Sequence, residues 1–207
     1  MKEHEPAEKE YDLERLIFFS DGVFAIVITL LVIELHLPAH WDLTFAGLVR
    51  ADRLELVAYL VSFLAVGLYW NLHRRLFRHV VRFHPGLVFF NLLLLGLVVL
   101  IPFGSEISVS GSREGVAIFL TLFIAIGLAQ ALLWSFAAFF SDVADPHLDR
   151  RGRLSLLLSL LSVPVLYGVL LVGALIGSLA GAAWMLPVIF LLRIARWTLT
   201  RRAGLRS

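Results

Sequence analysis

Long apolar stretches alternate with short polar segments along the whole chain. Six of these stretches are about as long as a membrane crossing requires, which is roughly 20 residues. They cover residues 16–35, 56–72, 87–103, 116–140, 154–177 and 179–192. Continuous apolar runs predict helices, because the strands of a membrane barrel alternate polar and apolar residues over about ten positions.

The last two stretches form one uncharged run, from Leu154 to Leu192, that is too long for a single span. The small residues at 177–181 mark the expected turn within it. The sixth stretch is short, but Arg193 and Arg196 can extend it by reaching to the interface. We therefore expect an all-α integral membrane protein with six transmembrane helices. The expected transmembrane domain is 16–200, with helices at approximately 16–37, 55–77, 86–103, 115–140, 154–177 and 180–199 and tails at 1–15 and 201–207.

Composition supports this interpretation. Only 16% of the 207 residues are charged, against about 25% in soluble domains. Within the six stretches only Asp21 and Glu34 are charged, which agrees with the high cost of charge in lipid. The chain has no Cys, which excludes disulfides, thiolate metal sites and cysteine nucleophiles. A formal net charge of +2 without a dense basic stripe gives no indication of nucleic acid binding.

Basic residues fall mainly on one side of the predicted membrane. With the N-terminus inside, fifteen Lys and Arg face the cytoplasm, while only Arg50, Arg53 and Arg113 face outward. Cytoplasmic loops of membrane proteins carry the excess of Lys and Arg. The distribution therefore predicts six spans with both termini in the cytoplasm. The N-terminal tail is acidic, unlike a signal peptide, so we expect the first span to be retained.

A few polar residues lie inside the predicted spans at matching depth. Asp21 lies about one turn into the first span, His73 ends the second and Asn91 is early in the third. Trp70 lies one turn before His73. An acid in the membrane needs a partner, so we expect these residues to form one network between the first three helices. The alternative is that Ser20 or Asp21 only caps the start of a helix.

The residues around Asp21 form a signature. Arg15, Phe19, Ser20 and Asp21 are spaced as Arg-x-x-x-Phe-Ser-Asp and lead into an apolar helix. This segment resembles the signature of the bacterial relatives of the lysosomal and endosomal potassium channel. Supporting pieces are Tyr69-Trp70-x-x-His73, Arg75-Leu76-Phe77, Asn91 and Pro102. The resemblance covers the first three spans, and it departs at Arg74, where many relatives carry a second His.

The resemblance implies a tetramer of six-helix subunits whose first helices line a pore. Counted from Asp21, Ile26 matches the constricting isoleucine and Thr29 matches a threonine implicated in selectivity. Leu30 and Ile33 match further apolar rings. The resemblance also implies a structural network of Arg15, Phe19, Ser20, Asp21, Trp70, His73 and Asn91 that joins helices 1, 2 and 3.

These residue types suit a potassium-permeable channel. Four aliphatic side chains around an axis form a constriction that closes by dewetting. Four Thr29 hydroxyls replace part of an ion's hydration shell, which favours modest selectivity for K⁺ over Na⁺. Without the resemblance, the stripe formed by Ile26, Thr29, Leu30 and Ile33 is also consistent with packing against lipid or against the protein core. Glu34, at the outer end, either attracts cations or is a solvated interfacial acid.

The sequence lacks the motifs that are typical of two other kinds of ion channel. The chain contains no Thr-Val-Gly-Tyr-Gly segment, which excludes a carbonyl filter of the usual type. It has no helix with arginine at every third position, which disfavours a voltage sensor.

We therefore expect a homotetrameric potassium-permeable cation channel in a prokaryotic plasma membrane, with no cofactor, no metal and no nucleic acid partner. The alternative is a proton-coupled secondary transporter that uses Asp21 and His73, since intramembrane acids and histidines are typical of proton relays. Such transporters are usually built from internal repeats, and the second half of the chain contains no repeat of the Phe-Ser-Asp segment, which disfavours this alternative. A hydrolase built on Ser20, Asp21 and His73 is disfavoured, because adjacent residues face different sides of a helix, and we expect no enzyme activity.

Overall fold

The computed structural model describes residues 4–36, 38, 42–51, 53–110 and 112–177. Within these ranges the chain is helical and forms no β-strand. The helices are α1 (His4–Leu30), α2 (Phe45–Ala51), α3 (Arg53–Phe77), α4 (Pro85–Val98), α5 (Ile101–Val109), α6 (Arg113–Ser135) and α7 (Arg150–Ile176), with a π-helix at Phe136–Phe140 directly after α6. The predicted sixth span at approximately 180–199 and the tail at 201–207 lie outside the described residues.

Among the described residues, four helical segments are long and apolar enough to cross a membrane. They are Arg53–Phe77, Pro85–Val109, Arg113–Phe140 and Arg150–Ile176. These segments correspond to the second to fifth predicted spans. Short connections join these four segments, and the short helix α2 precedes the first of them.

The first helix differs from its predicted bounds of 16–37. It begins at His4, because the acidic tail is rich in Glu, which favours helix formation. It ends at Leu30, and the chain then continues through turns. In the first of these turns the N–H of Ile33 donates to the carbonyl of Leu30 at 3.0 Å, which is the tighter spacing of a 3₁₀ turn.

Pro102 divides the third span into two helices. Helix α4 ends at Val98 and α5 begins at Ile101, so that Pro102 lies in the first turn of α5. A proline has no N–H to donate, and its ring clashes with the carbonyl four residues earlier, which here belongs to Val98. The helix therefore breaks, and because it resumes at once the whole span still covers Pro85–Val109.

Local polar signals set the ends of two long helices. Ser112 precedes α6 and accepts the N–H of Gly115 at 2.9 Å, and Asp149 precedes α7 and accepts the N–H of Gly152 at 2.8 Å. Both are N-caps that satisfy an otherwise unpaired donor. Helix α7 ends at Ile176 and is capped by Gly177, whose φ of 69° is the left-handed conformation that glycine adopts most easily. This residue lies in the turn expected at 177–181.

Helix α6 is central to the described bundle. It packs along α7 and against α4 and α5, whereas α1 contacts α3, α4 and α5. The largest fully buried side chains include Phe24, Tyr69, Leu94, Phe123, Trp134 and Leu160. Other large apolar side chains, such as Leu64, Phe89 and Val172, are exposed on the outside of the bundle. Extensive apolar exposure of this kind is expected where the surroundings are lipid.

Pro164 lies inside α7 opposite Gly127 of α6, where a Cβ atom would lie 2.7 Å from the proline Cδ. We expect Gly127→Ala to lower the free energy of unfolding by about 1–3 kcal/mol, the usual cost of overpacking. Thermal unfolding in detergent measures the effect. The matched control is Gly168→Ala, since nothing lies within 4 Å of a Cβ built there. Equal losses of stability in both variants would contradict the close contact.

Two loops are hydrogen-bonded to each other at one end of the bundle. The N–H of Val81, after α3, donates to the carbonyl of Val143 at 2.8 Å. The N–H of Asp145 donates back to the carbonyl of His79 at 2.9 Å. These bonds tie the connection between α3 and α4 to the connection between α6 and α7.

Arg153 of α7 forms further hydrogen bonds at the same end of the bundle. Its Nη1 donates to the carbonyl of Ala138 at 2.6 Å, and its Nε donates to the carbonyl of Leu148 at 3.0 Å. Ala138 belongs to the π-helix, and the carbonyls at a helix end lack a partner in their own helix. The fixed fork of the guanidinium supplies several donors at once. Nothing in the sequence pattern indicates the π-helix.

A polar turn precedes the short helix α2. The hydroxyl of Thr44 donates to Oδ1 of Asp42 at 2.6 Å, and its N–H donates to the same atom at 3.0 Å. These bonds favour the ionised carboxylate and hold the pKa of Asp42 below its usual value. The hydroxyl oxygen of Thr44 also accepts the N–H of Gly47 at 2.9 Å, which caps α2.

Candidate functional site

A chain of hydrogen bonds joins α3, α4 and α1 in the interior. His73 Nε2 lies 2.9 Å from Asn91 Oδ1, and Asn91 Nδ2 lies 2.8 Å from Ser20 Oγ. The Ser20 hydroxyl donates to the carbonyl of Leu16, one turn earlier in α1, at 2.8 Å. The three side chains are at most 1% exposed. The first helix is therefore tied to two neighbours through groups that bulk water does not reach.

The direction of each donation follows from the connectivity. The carbonyl of Leu16 only accepts, so the Ser20 hydroxyl donates to it and the hydroxyl oxygen is left to accept. Asn91 therefore turns its N–H towards Ser20 and its carbonyl oxygen towards His73. Nε2 of His73 then carries the hydrogen of this bond. Every member donates in the direction of α1.

Asp21 belongs to a second group of contacts. Trp70 Nε1 of α3 donates to Asp21 Oδ1 at 2.8 Å. The guanidinium of Arg74 lies over the Trp70 ring, 4.9 Å from its centroid, which is a cation–π contact. Its Nη2 also donates to Asn71 Oδ1 at 3.2 Å. The Asp21 carboxylate therefore accepts a hydrogen bond from the Trp70 indole, and the ring of the same indole contacts the Arg74 guanidinium.

The structure divides the predicted single network into two branches. Adjacent residues of a helix point about 100° apart, so Ser20 bonds to α4 while Asp21 bonds to α3. Ser20 lies in the middle of α1 and does not cap a helix. Asn91 lies between Ser20 and His73, so the described structure contains no Ser–His pair of the kind that a hydrolase needs.

Arg15 and Phe19, the other two residues of the signature, lie apart from these bonds. Arg15 is exposed, and its guanidinium lies 5.6 Å from the centroid of the Tyr11 ring. Phe19 is 52% exposed. Both side chains point away from the described bundle, on the part of α1 that its neighbours leave uncovered.

One face of α1 is buried and the opposite face is open. Phe24, Val27 and Leu31 are at most 1% exposed and face α3, α4 and α5. Ile26 is 58% exposed and Leu30 is 38% exposed. The outward stripe continues beyond the helix end to Ile33, which is 67% exposed and lies on the following turn. The outward stripe therefore contains all three aliphatic residues predicted to form rings.

Thr29 lies in the outward stripe as well. Its hydroxyl donates to the carbonyl of Ile26 at 2.7 Å, within its own helix. The hydrogen is therefore engaged, and the lone pairs of the hydroxyl oxygen are what the side chain presents to the outside. An outward oxygen of this kind suits a cation rather than an anion.

An open cavity of about 760 Å³ lies beside α1 on the N-terminal side of this stripe and reaches its first residue, Ile26. Arg15, Phe18, Phe19, Asp21 and Ile26 are among the residues that line it. Among the described residues, every lining residue belongs to α1. The space beside α1 is therefore not filled by the other described helices of the same subunit.

Comparison with known proteins supports an ion channel. A potassium channel of Streptomyces collinus is 32% identical over 167 residues, which is 75% of this chain and 81% of that protein. The family model described as endosomal/lysosomal potassium channel TMEM175 matches residues 15–102. This chain belongs to the TMEM175 family. The resemblance found in the Arg-x-x-x-Phe-Ser-Asp signature is thereby confirmed.

The TMEM175 fold is matched as well. The crystal structure of a lysosomal potassium-selective channel TMEM175 homolog from Chamaesiphon minutus superimposes with a TM-score of 0.70 at 28% identity, over 90% of this chain and 99% of that one. An endosomal/lysosomal proton channel TMEM175 of Danio rerio is 32% identical over 165 residues, 72% of this chain but only 31% of that longer protein. The segment that matches the TMEM175 family model contains both branches described above.

Sequence reasoning missed two polar residues behind these branches. Tyr69 donates its hydroxyl to the carbonyl of Phe123, and Gln130 donates through Nε2 to the carbonyl of Tyr69 at 3.0 Å. Both side chains are buried. The sequence does contain a signal for Gln130, because it is the single amide side chain in the apolar stretch 116–140.

Glu34 lies in the turns that follow the C-terminal end of α1. It shares a small cavity with Glu55 and Glu106, and the carboxylate of Glu55 accepts the N–H of His36 at 3.1 Å. Within the described ranges no group of His, Asp or Glu is arranged to hold a metal ion.

Proposed function

We propose that this chain forms a potassium-permeable cation channel in which α1 lines the pore. The proposal is supported by membership of the TMEM175 family and by relatives that carry the name potassium channel. Conduction is passive, the permeant ion is K⁺, and no cofactor or catalytic residue takes part.

The outward stripe of α1 is the observation that carries the proposal. Ile26, Thr29 and Leu30 are exposed although the same helix is firmly packed on its other side. A single helix cannot enclose a pore, so several copies must surround a common axis. Closed cyclic symmetry is the usual arrangement of identical subunits, and a homotetramer places four outward stripes around the axis.

Within this tetramer the stripe supplies two kinds of ring. Ile26, Leu30 and Ile33 form aliphatic constrictions that close by dewetting. Thr29 supplies a ring of hydroxyl oxygens that replaces part of the hydration shell of K⁺, which is more weakly held than that of Na⁺. Selectivity is expected to be modest, because four hydroxyls offer fewer and weaker ligands than stacked carbonyl rings.

We expect Thr29→Val to lower the K⁺/Na⁺ permeability ratio towards one, because it removes the hydroxyl and keeps the branched shape. Reversal potentials under bi-ionic conditions measure the ratio. The matched control is Thr121→Val, an exposed threonine of α6 whose hydroxyl also donates to its own helix, to Ala117 at 2.7 Å. A ratio that is unchanged in Thr29→Val contradicts the selectivity role.

The distribution of Lys and Arg supports six spans with both termini in the cytoplasm. Fifteen basic residues then face inward and three outward, which follows the positive-inside rule. With this orientation the Asp21 and Ser20 branches lie near the cytoplasmic end of the pore. The membrane is the plasma membrane of a prokaryote, and the partners are the lipid bilayer, monovalent cations and identical subunits.

We expect Asp21→Asn to reduce tetramer yield and to lower thermal stability by about 1 kcal/mol, because a charge-assisted hydrogen bond is roughly twice as strong as a neutral one. The K⁺/Na⁺ ratio is expected to stay the same. Trp70→Phe removes the donor of the same bond and should reproduce the loss. Monodisperse Asp21→Asn tetramers of native thermal stability would refute the packing role of Asp21.

The alternative is proton-coupled transport through Asp21 and His73, and the Danio rerio relative is named a proton channel. The contacts favour passive conduction, since His73 is buried against Asn91 while Asp21 is bonded to Trp70 in the other branch. Flux into liposomes distinguishes the two functions. A channel moves K⁺ down its own gradient at zero proton gradient, and an imposed proton gradient that drives K⁺ uphill overturns the proposal.

A further inference from the structure

Two buried acceptor atoms have no hydrogen-bond partner in the described part of the chain. They are Nδ1 of His73 and Oε1 of Gln130. Both side chains are 1% exposed. Buried polar atoms in folded proteins nearly always have a partner, and an unpaired one is costly. Two such atoms in one bundle therefore call for a physical explanation.

The chemistry of each atom is fixed by its neighbours. Nε2 of Gln130 donates to the carbonyl of Tyr69, which only accepts, so the amide cannot be reversed and Oε1 is its free end. His73 uses Nε2–H for Asn91, so Nδ1 of the neutral ring carries a lone pair. Because both free atoms are acceptors, they cannot satisfy each other.

Gln130 and His73 meet at neighbouring turns of α3. In an α-helix the carbonyl of residue 69 faces the N–H of residue 73, so Tyr69 and His73 occupy successive turns of one face. The amide of Gln130 is anchored on that carbonyl of Tyr69. Gln130 therefore contacts α3 one turn before the residue that carries the imidazole.

We propose that one buried water molecule binds between His73 Nδ1 and Gln130 Oε1 and donates one hydrogen to each. Water is the smallest molecule with two donors, and buried waters typically bridge polar groups that lack other partners. Gln130 is thereby a positioning residue for the pore helix, since it connects α6 to the hydrogen-bond chain that ends on α1.

The water completes a chain of donors that runs in one direction. Water donates to His73, which donates to Asn91, which donates to Ser20, and Ser20 donates to the backbone of α1. Hydrogen bonds that are aligned in this way polarise and strengthen one another in a low-dielectric interior. Loss of the water molecule therefore weakens the hydrogen bonds at Ser20 that hold α1.

The direct test is a structure of the full chain in lipid nanodiscs at a resolution that shows ordered water. The expected result is one water within hydrogen-bond distance of both atoms, about 2.7–3.2 Å. It should be lost in Gln130→Leu and retained in the control Ser135→Ala, a serine of α6 that bonds to its own helix at 2.7 Å. A protein atom at this position, no water there, or water that touches only one of the two acceptors overturns the proposal.

A second measurement reports on His73 itself. The ¹⁵N resonance of Nδ1 in labelled protein should shift in Gln130→Leu towards the value of a free imidazole acceptor, and stay in place in Ser135→Ala. Gln130→Glu should restore the signal, because a neutral carboxyl group in this apolar interior donates to Tyr69 and keeps an oxygen for the water. A resonance unchanged in Gln130→Leu overturns the bridge.

The consequence for conduction rests on the proposed function, whereas the water site does not. We expect Gln130→Leu to raise resting K⁺ flux about threefold, the factor that corresponds to one average interhelical hydrogen bond in a membrane protein. A wild-type protein that contains the water and conducts no K⁺ would contradict the proposed function alone. Loss of the water with unchanged flux would overturn the positioning role of Gln130.

Discussion

Replacement of Ile26 by Asn is expected to raise the resting K⁺ flux by about tenfold, which corresponds to a decrease of about 1.4 kcal/mol in the barrier. Ile26 is 58% exposed on the outward stripe of α1, so the change does not disturb the packed face. In a tetramer it places four amides in the constriction. Amides hold water by hydrogen bonds, whereas a ring of isoleucines closes by dewetting.

Two controls separate wetting from other effects of the Ile26→Asn change. Ile26→Leu keeps an aliphatic ring of the same volume and should leave the flux low. The K⁺/Na⁺ ratio of Ile26→Asn should remain close to that of the wild type, since Thr29 is unchanged. Measurement is by K⁺-driven flux in liposomes with tetramer content matched between variants. Equal resting flux in wild type and Ile26→Asn would remove Ile26 from the gate.

Replacement of Asn91 by Leu is expected to destabilise the protein by about 1–3 kcal/mol, the cost of leaving a buried polar group unpaired. Asn91 is the middle member of the chain that joins α3 to α1. Without it, Nε2–H of His73 has no acceptor and Ser20 loses its incoming donor. The loss should appear as a lower midpoint of thermal unfolding and as fewer intact tetramers.

The matched control for Asn91→Leu is Asn71→Leu. Asn71 lies on α3 and bonds to the exposed guanidinium of Arg74 at 3.2 Å, where water can replace the lost partner. Its substitution should change stability by less than about 0.5 kcal/mol, as is usual for surface sites. Similar losses in the two variants would indicate that the effect of Asn91→Leu comes from the added leucine rather than from the broken chain.

The two branches constrain α1 at the same depth but in different directions. Ser20 holds it to α4, and Asp21 holds it to α3 through Trp70. Two bonds about 100° apart around one helix resist rotation as well as translation. In the proposed channel the rotation of α1 decides which residues face the pore, so a network remote from the proposed aliphatic rings can still determine their alignment.

The second to fifth apolar spans could be predicted from the sequence because charge is so costly in lipid. The observed helices Arg53–Phe77 and Arg150–Ile176 lie close to the predicted 55–77 and 154–177. Helix ends were less predictable. The start of α1 at His4 depends on helix propensity in the acidic tail, and the break before α5 depends on Pro102, which has no effect on the apolar pattern.

The hydrogen-bonded residues of the candidate site were predictable as a group and not as pairs, whereas Arg15 and Phe19 lie apart from these bonds. The predicted depth in the membrane places Asp21, His73 and Asn91 near one another, because successive spans begin and end on alternating sides. Depth carries no information about direction around a helix axis. The pairing of Asn91 with Ser20, and of Asp21 with Trp70, therefore had to come from the packed structure.

The sequence by itself determined that this is a multi-pass membrane protein, the order of its apolar segments and, through the signature at Arg15 to Asp21, the family. Only the tertiary structure decided which face of α1 is outward and that Gln130 and His73 leave two acceptors unpaired. The reason is physical. A helix that is apolar on every side has no hydrophobic periodicity to set its rotation, so the packing against α3, α4 and α5 and a few buried hydrogen bonds must set it.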